Sequence, residues 1–345
     1  MLRNSSDSPH SIPVTVIGAG IAGAWQALTF ARAGHPVTLF ERDESTMVGG
    51  TSRWAGGMLA PYCEQEATEP AVTRLGLRSL ALWREEKLDD TAFNGSLVVA
   101  HARDRADFER FARMTENHAA VGAEDIAALE PDLAGRFHDG LFFAEEGHVE
   151  PRRVLPQLHA RLARANGEIR FGTECEPHDV QGIVIDCRGL AAADRVIGSR
   201  GVSGLRGVKG EAVILETDEI KLTRPVRLMH PRWPLYIVPR AENRFFVGAT
   251  SIESEDGGVT VRSMLELLTA AYAVHPAFAE ARIVEIGAAL RPAFPDNLPR
   301  IAIDGRRIGV NGLYRHGFLL APALAELTLA YVARGAIDNE VMRCA

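Results

Sequence analysis

The stretch Val14-Thr15-Val16-Ile17-Gly18-Ala19-Gly20-Ile21-Ala22-Gly23 decides the fold of the first third of the chain. Its β-branched start is typical of a strand, its glycines follow the pattern Gly-x-Gly-x-x-Gly, and the helix formers of residues 24–33 come next. In this order the first glycine allows a tight turn, the second lets backbone approach a pyrophosphate, and the third lets the helix pack on the strand. The stretch therefore predicts a dinucleotide-binding unit.

A second strand and an acid support this interpretation. Residues 36–40 predict a parallel strand that ends at Glu41, 21 residues after Gly20. A carboxylate there can accept hydrogen bonds from the ribose of an adenosine. A glycine triplet alone is often only a turn, but strand, triplet, helix and acid together favour the nucleotide site. The acid suits NAD and FAD alike.

A second glycine-rich loop, residues 48–61, favours FAD. It holds four glycines and two small hydroxyl residues within ten positions. Such a loop suits a long cofactor that continues past its pyrophosphate. The alternative is a flexible surface connection, for which Trp54, Met58 and Leu59 are poor choices.

The middle of the chain predicts an insertion into the nucleotide-binding sheet. Residues 75–88 and 103–118 have the apolar spacing of amphipathic helices. A helix at 152–166 and strands at 169–171 and 183–189, the last ending on glycine, indicate a return to the first sheet.

Strands at 211–215, 235–240 and 244–250 follow, and the last two are predicted to form a hairpin. They indicate an antiparallel sheet that forms one wall of a pocket. We therefore expect a mixed α/β and α+β fold, in which a Rossmann-like FAD-binding domain carries an inserted substrate domain built on a mostly antiparallel sheet.

The domain boundaries follow from the motif order, since 345 residues suggest about two domains of roughly 150 residues each. The FAD-binding domain is predicted to comprise residues 1–75, 145–205 and 285–345. The discontinuous substrate domain takes the remainder, residues 76–144 and 206–284.

Composition excludes several classes of protein. With 38 Lys and Arg against 45 Asp and Glu, the net charge of −7 does not favour a general nucleic-acid binder, and an anionic substrate needs its own local positive site. The four cysteines show neither the spacing of a zinc site nor a disulfide framework, so we expect no metal and a reducing, cytoplasmic location. They are Cys63, Cys175, Cys187 and Cys344.

No integral membrane segment is expected near the start of the chain. Residues 12–31 are apolar but contain the glycine triplet, and a strand followed by a turn and a helix does not span a bilayer. Residues 1–10 carry too little apolar length for a secretory signal and are interpreted as a loose terminus.

Two arginines near the end of the chain are the candidate anion site. Arg291 stands beside prolines, and Arg315 stands before a predicted helix at 321–334. A guanidinium matches a carboxylate with two hydrogen bonds, which lysine cannot imitate. For each arginine alone, a solvated surface charge is the alternative.

Four motifs resemble the FAD-dependent D-amino-acid oxidase superfamily, and within it the glycine oxidases of thiamine biosynthesis. The resemblance covers the start, middle and end of the chain, and its C-terminal motifs are the more specific. The motifs are Ala55-Gly56-Gly57-Met58-Leu59-Ala60-Pro61, Tyr236 in Tyr-Ile-Val-Pro-Arg, Leu290-Arg291-Pro292, and Tyr314-Arg315-His316-Gly317-Phe318-Leu319-Leu320-Ala321-Pro322.

The resemblance implies a role for each matching residue. Arg291 grips the substrate carboxylate and Tyr236 assists it, while Arg315 and Met58 shape the pocket near the flavin ring. Together with the glycine motif, it gives these FAD-binding candidates: Gly18, Gly20, Ile21, Ala22, Gly23, Glu41, Arg42, Thr51, Ser52, Ala55, Gly56, Gly57, Met58, Cys175, Cys187, Gly189, Arg291, Arg315, His316, Gly317, Phe318 and Leu319.

Three positions carry open alternatives. Cys175, on a strand expected around residues 173–176, is a candidate backbone contact to the adenine or a buried apolar cysteine, and the two are compatible because a backbone contact does not involve the side chain. Asp186-Cys187-Arg188-Gly189 replaces the Ala-x-Gly that is more usual in the superfamily. His316 stands where asparagine is common, and a helix N-terminal cap is favoured over a flavin neighbour.

The implied reaction removes a hydride from the α-carbon of a small amino acid to FAD, with O2 reduced to H2O2 and the imine passed to thiazole synthesis or released as glyoxylate. Two alternatives stay open: a D-amino-acid or sarcosine-type oxidase or dehydrogenase of the same fold, and a non-catalytic flavin binder. The expected partners are the amino acid and O2, and a homo-oligomer is compatible with the sequence.

Overall fold

The computed structural model describes residues 12–45, 48–195, 204–230 and 235–344. The chain divides into two compact units: unit 1 comprises Met1–Arg53, Leu155–Arg206 and Pro292–Ala345, and unit 2 comprises Trp54–Val154 and Gly207–Arg291. The predicted loose terminus, residues 1–10, lies outside the described residues.

The strands and helices below are numbered in chain order within the described residues. The strands are β1 (Val14–Ile17), β2 (Val37–Phe40), β3 (Met58–Leu59), β4 (Thr91–Ala92), β5 (Ser96–Ala100), β6 (Ala119–Gly122), β7 (Asp139–Phe143), β8 (Gly147–Val149), β9 (Glu168–Arg170), β10 (Ile183–Asp186), β11 (Arg206–Glu216), β12 (Val226–Met229), β13 (Leu235–Arg240), β14 (Arg244–Gly248), β15 (Arg282–Ala293), β16 (Arg300–Asp304), β17 (Arg307–Asn311) and β18 (Met342–Cys344). The helices are α1 (Ile21–Arg32), α2 (Pro70–Glu86), α3 (Arg105–Met114), α4 (Ala123–Leu129), α5 (Pro151–Arg164), α6 (Val261–Val274) and α7 (Gly317–Arg334).

Unit 1 is built on a mostly parallel sheet with the strand order β18-β16-β17-β10-β1-β2-β9. β1 lies between β2 and β10, parallel to both, and β9 extends the sheet beyond β2. The predicted strand–turn–helix and the predicted return of the chain to this sheet are confirmed. The sheet is Rossmann-like because α1 crosses from β1 to the parallel β2.

Helices α1 and α7 pack against each other in unit 1. Among the described residues, α7 is the single helix long and apolar enough to cross a membrane, with a mean hydropathy of 1.3. Half of it is buried inside the structure, as in the core helix of a folded domain.

Unit 2 is built on a mostly antiparallel sheet with the strand order β15-β11-β14-β13-β12-β5-β7-β6. β13 and β14 form the predicted hairpin, with Tyr236 paired to Gly248. The pair β12 and β5 is parallel. The predicted substrate-domain architecture is therefore confirmed as a fold.

Side chains alternate across this sheet because successive residues of a strand point to opposite faces. One face carries Val213, Leu215, Ile237 and Val247, which pack with α6 in one apolar cluster. The opposite face carries Ala212, Ile214, Tyr236, Val238 and Phe246. We call this second surface the open face, meaning only that it is the face opposite to the one that packs with α6. The candidate substrate residue Tyr236 lies on it.

One predicted strand is wrong. Residues 173–176 have no regular secondary structure, since β9 ends at Arg170 and the chain turns at Gly172, whose φ is +63°. The N–H of Thr173 nevertheless donates to the carbonyl oxygen of Glu41 at 2.9 Å, so the segment stays beside the end of β2.

The two units have boundaries that differ from the predicted domains. Residues 54–75 belong to unit 2, where Met58 of β3 pairs with His148 of β8. Residues 145–154 and 285–291 belong to unit 2 as well. That unit 1 binds the cofactor and unit 2 the substrate stays a prediction.

Candidate active site

The glycine turn of unit 1 leaves no room for a side chain at two of its glycines. Gly18 has a φ of +96°, which favours glycine, and a Cβ on it would lie 2.8 Å from the carbonyl oxygen of Cys187. A Cβ on Gly23 would lie 1.8 Å from the carbonyl oxygen of Gly18. The turn and the close packing of α1 on β1 therefore both require glycine.

The start of α1 has the properties of an anion site. Gly20 is the N-cap residue and offers no side-chain hydrogen bond, and the first turn contains no acidic residue. The hydroxyl oxygen of Ser52 accepts a hydrogen bond from the N–H of Ile21 at 3.2 Å. A helix N-terminus that starts on glycine and has no acidic residue in its first turn favours a phosphate group, so this cradle fits the pyrophosphate of FAD.

Glu41 is fixed beside the turn. One carboxylate oxygen accepts a hydrogen bond from the N–H of Ala19 at 2.8 Å, and the other accepts one from the N–H of Asp43 at 3.2 Å. Arg42 is exposed and lies 4.0 Å from the carboxylate of Asp43. A ribose contact at Glu41 is compatible with this position and stays a prediction.

His159 contacts this turn and was not predicted from the sequence. It lies on α5, is buried, and its Nε2 is 3.0 Å from the carbonyl oxygen of Ala19. Burial lowers the pKa of His159 to about 4, so the neutral ring donates this hydrogen bond at neutral pH. No sequence signal links α5 to the turn, because the acceptor is a backbone atom 140 residues away.

The departure at residues 186–189 has a structural explanation. Asp186 is buried at the end of β10 and accepts hydrogen bonds from Arg188 at 2.8 Å and Arg307 at 2.8 Å. Burial alone would raise the pKa of Asp186, but these two guanidinium groups hold that pKa below its usual value. Asp186 therefore organises two cations next to the candidate backbone contacts at Cys187 and Gly189.

Cys187 and Cys175 both lie against the end of β1. The N–H of Cys187 donates to the carbonyl oxygen of Ile17 at 2.8 Å. Cys175 packs into an apolar cluster with Ile17, Phe40 and Val184. The buried apolar interpretation of Cys175 fits this packing, and an adenine contact through its backbone stays a prediction.

The C-terminal motif also reaches the glycine turn. A Cβ on Gly317 would lie 3.3 Å from the Cγ2 of Ile21, so the N-termini of α7 and α1 are neighbours. Arg315 lies in an exposed turn, and Phe318 and Leu319 are buried. His316 occupies the N-cap position of α7, but its side chain makes no capping hydrogen bond. The predicted cap is therefore right in position and wrong in its side-chain hydrogen bond.

In unit 2, the structure brings Tyr236 and Met58 together. Both pack on the cluster of the open face, together with Trp54. Tyr236 and Ala212 are both paired with Gly248, so the three residues form one row across β13, β14 and β11.

Arg291 reaches the same face from β15. Its Nη1 donates to the carbonyl oxygen of Thr250 at 2.9 Å. A Cβ on Gly210 would lie 2.0 Å from Nη2 of Arg291, so the guanidinium lies directly on β11. Gly210 precedes Ala212 by two residues and shares its face. Gly210 was not predicted from the sequence; because it has no Cβ, the guanidinium of Arg291 has room on the open face.

The loop Ala55-Gly56-Gly57 is rigidly held within unit 2. Gly57 has a φ of +72°, and its carbonyl oxygen accepts a hydrogen bond from the N–H of Val149 at 2.8 Å. The side chain of Arg240, a third residue missed from the sequence, binds carbonyl groups of the same loop. The loop is thus not the flexible connection that was the alternative.

The chain is similar to known proteins over most of its length. A family model described as FAD dependent oxidoreductase (DAO) matches residues 13–331. The chain is 51% identical over 313 residues to a protein of Rhizobium etli called putative thiamine biosynthesis oxidoreductase ThiO, covering 90% of this chain and 94% of that protein. It is 29% identical over 355 residues to a glycine oxidase of Pseudomonas aeruginosa, covering 91% and 93%. The crystal structure of glycine oxidase from Geobacillus kaustophilus superposes with a TM-score of 0.79 at 25% identity, covering 95% and 96%.

Proposed function

The chain belongs to the FAD dependent oxidoreductase (DAO) family, and on that premise we propose that it oxidises glycine or a similarly small amino acid with O2 as the electron acceptor. The protein is an FAD-dependent amino-acid oxidase. The observation that carries the substrate proposal is the guanidinium of Arg291 lying on Gly210, on the sheet face that also presents Tyr236.

Residues of unit 1 would hold the adenosine diphosphate part of FAD. The amides at the start of α1 and the turn around Gly18 and Gly20 take the pyrophosphate, and Glu41 takes the ribose. Thr51 and Ser52 lie next to this helix end, as the hydrogen bond from Ile21 to Ser52 indicates. We keep the remaining predicted contacts of unit 1, among them Arg42, Gly189, Arg315 and His316, as part of the proposal.

Residues of unit 2 would hold the substrate and the flavin ring. Arg291 binds the α-carboxylate and Tyr236 donates a further hydrogen bond to it, which fixes the α-carbon. Met58 and Trp54 give an apolar surface that excludes water from the reacting carbon. A net charge of −7 makes this local cation necessary for an anionic group to bind.

FAD, when bound, supplies the acceptor for the hydride of the α-carbon and passes the electrons to O2, giving H2O2 and an imine. The residues of the chain bind and orient the substrate, and the mechanism does not require any of them to act as a strong base. The imine would hydrolyse to glyoxylate or pass to thiazole formation. Support for a role in thiamine biosynthesis comes from the name of the Rhizobium etli relative.

The proposed location is the cytoplasm. All four cysteines are free thiols, Cys63 and Cys175 among them buried, which suits a reducing compartment. Among the described residues, no group of three or more His, Cys, Asp or Glu side chains is arranged to hold a metal ion. The partners proposed are the amino acid and O2, with a homo-oligomer left to measurement.

A substrate panel tests the proposal. Purified protein reconstituted with FAD is supplied with glycine, sarcosine, D-alanine or L-alanine, either in air or anaerobically with a quinone, and oxygen consumption, H2O2 and quinone reduction are recorded. We expect the highest kcat/KM with glycine. A preference for sarcosine or D-alanine would support the alternative oxidases of the same fold, and turnover only with a quinone would replace the oxidase by a dehydrogenase.

A further inference from the structure

Arg240 stands behind the loop 55–57 as a cation surrounded by carbonyl groups. Its Nη1 donates to the carbonyl oxygen of Val149 at 2.8 Å, and its Nη2 donates to that of Gly56 at 2.6 Å and to that of Ala55 at 3.4 Å. The guanidinium also lies over the ring of Phe246, 5.7 Å from its centroid. Burial lowers the pKa of Arg240 to about 10, so it stays charged at neutral pH.

His148, a basic group beside Arg240, is neutral. His148 lies next to Met58 in the β3–β8 pair. Burial and the charge of Arg240 lower the pKa of His148 to about 3. A further cation near Arg240, Arg152, is paired with Glu285 at 2.5 Å, and its charge works against that of Arg240, while the carboxylate of Glu150 helps to keep Arg240 charged. Arg240 is the guanidinium that binds the loop itself.

The hydrogen bonds to Arg240 fix the direction of the peptide groups. In a trans peptide the N–H points opposite to the C=O of the same peptide group. The carbonyl groups of Ala55 and Gly56 point towards Arg240, and that of Gly57 points towards Val149. The N–H groups of Gly56, Gly57 and Met58 therefore point to the other side of the loop.

We propose that Arg240 is a positioning residue, whose two-pronged guanidinium turns the N–H groups of residues 56–58 towards the flavin ring as a fixed set of hydrogen-bond donors. The inference rests on the proposed function for the place of the flavin. Preorganised donors stabilise negative charge that develops on the group they face. The same donors, backed by a cation, favour the reduced form of the cofactor over the oxidised form.

The test compares three variants as FAD-loaded proteins. Arg240→Met removes both the charge and the planar guanidinium donors. Arg240→Lys keeps the charge but replaces the guanidinium by a single ammonium group. Arg244→Met is the matched control, because it removes the same charge from the cross-strand partner of Arg240. Arg244 binds Glu216 at 3.0 Å and not the loop. Measured are the FAD dissociation constant, the visible spectrum of the flavin and its midpoint potential.

We expect Arg240→Met to raise the FAD dissociation constant about tenfold, since the loop loses the two hydrogen bonds, at Ala55 and Gly56, that orient its N–H groups. Its flavin spectrum should shift and its midpoint potential should become more negative. Arg240→Lys should show the same spectral shift with a smaller change of potential, and Arg244→Met should show neither.

An Arg240→Met protein that keeps its thermal stability together with wild-type affinity, spectrum and potential would overturn the inference. If that variant does not fold, the same result for a folded Arg240→Lys overturns it. A wild-type protein that binds no FAD would instead refute the proposed function.

Discussion

At the scale of single residues, Arg291 carries the substrate proposal. Its long side chain leaves β15 and lies on β11, where the absence of a Cβ at Gly210 makes room for it. The motif in the sequence indicated the arginine, but not the glycine beneath it. A glycine in a strand interior weakens the strand, so its presence here marks a close approach.

Replacing Arg291 tests this role. Arg291→Ala should raise KM for glycine and lower kcat, with kcat/KM reduced roughly 100-fold, because about 3 kcal/mol of charge-assisted hydrogen bonding is lost. Steady-state kinetics by oxygen consumption measures it. Arg282→Ala is the control, since Arg282 begins the same strand with its side chain 80% exposed. A wild-type KM in Arg291→Ala would remove the residue from its role.

His159 gives a second prediction at this scale. His159→Leu leaves the carbonyl oxygen of Ala19 without its donor, so the FAD dissociation constant should rise about fivefold, for a loss of about 1 kcal/mol. Titration of apoprotein with FAD measures the constant. His178→Leu, whose side chain is 81% exposed, should bind FAD like wild type. Equal affinity of both variants would contradict the role given to His159.

Glu146 predicts a pH dependence of stability. Its buried carboxyl accepts hydrogen bonds from the N–H groups of Tyr62 at 2.9 Å and Cys63 at 2.8 Å, and from the hydroxyl of Ser96. Burial raises the pKa of Glu146 to about 7. Between about pH 4.5 and 7 the folded protein holds a proton that the unfolded chain has released, so the free energy of unfolding falls as pH rises.

Glu146→Gln removes that titration. The stability of wild type relative to Glu146→Gln should therefore decrease from pH 5 to pH 8, by up to roughly 3 kcal/mol. Thermal melts at both pH values measure the difference. The exposed neighbour Glu145, changed to glutamine, should give no such trend. An equal difference at pH 5 and pH 8 would show that Glu146 does not titrate in this range.

At the scale of elements, the glycine turn was predictable and the short strands were not. β1, the turn and α1 follow from local sequence, since β-branched residues, glycines and helix formers stand in order. β3 and β4 have two residues each, too few for any periodicity, and form only because β8 lies between them. Residues 173–176 resembled a strand by family likeness, but Gly172 turns the chain first.

Gly23 is the point where β1 and α1 touch. Gly23→Ala should raise the FAD dissociation constant roughly tenfold, because its Cβ would lie 1.8 Å from the carbonyl oxygen of Gly18 and α1 must move away. Flavin retention on gel filtration and FAD titration measure the effect. Gly257→Ala, where a Cβ meets nothing within 4 Å, is the control. Full FAD affinity in Gly23→Ala would show that the close packing is dispensable.

At the scale of the whole molecule, each unit is assembled from segments far apart in sequence. The motif order predicted a discontinuous arrangement, because cofactor signals recur near residues 18, 50, 187 and 315. The exact divisions could not be predicted, since they depend on pairings such as that of Met58 with His148. Arg240 and His159 escaped prediction for a related reason: each binds backbone carbonyl groups, which leave no signature in the sequence.

The most direct test of the central claim is the anaerobic addition of glycine to the FAD-loaded protein while the visible absorption of the flavin is followed. We expect glycine to bleach the flavin band and air to restore it, with H2O2 formed. A band that stays unbleached with glycine and with every other small amino acid would contradict an amino-acid oxidase and favour a flavin-binding protein without this activity.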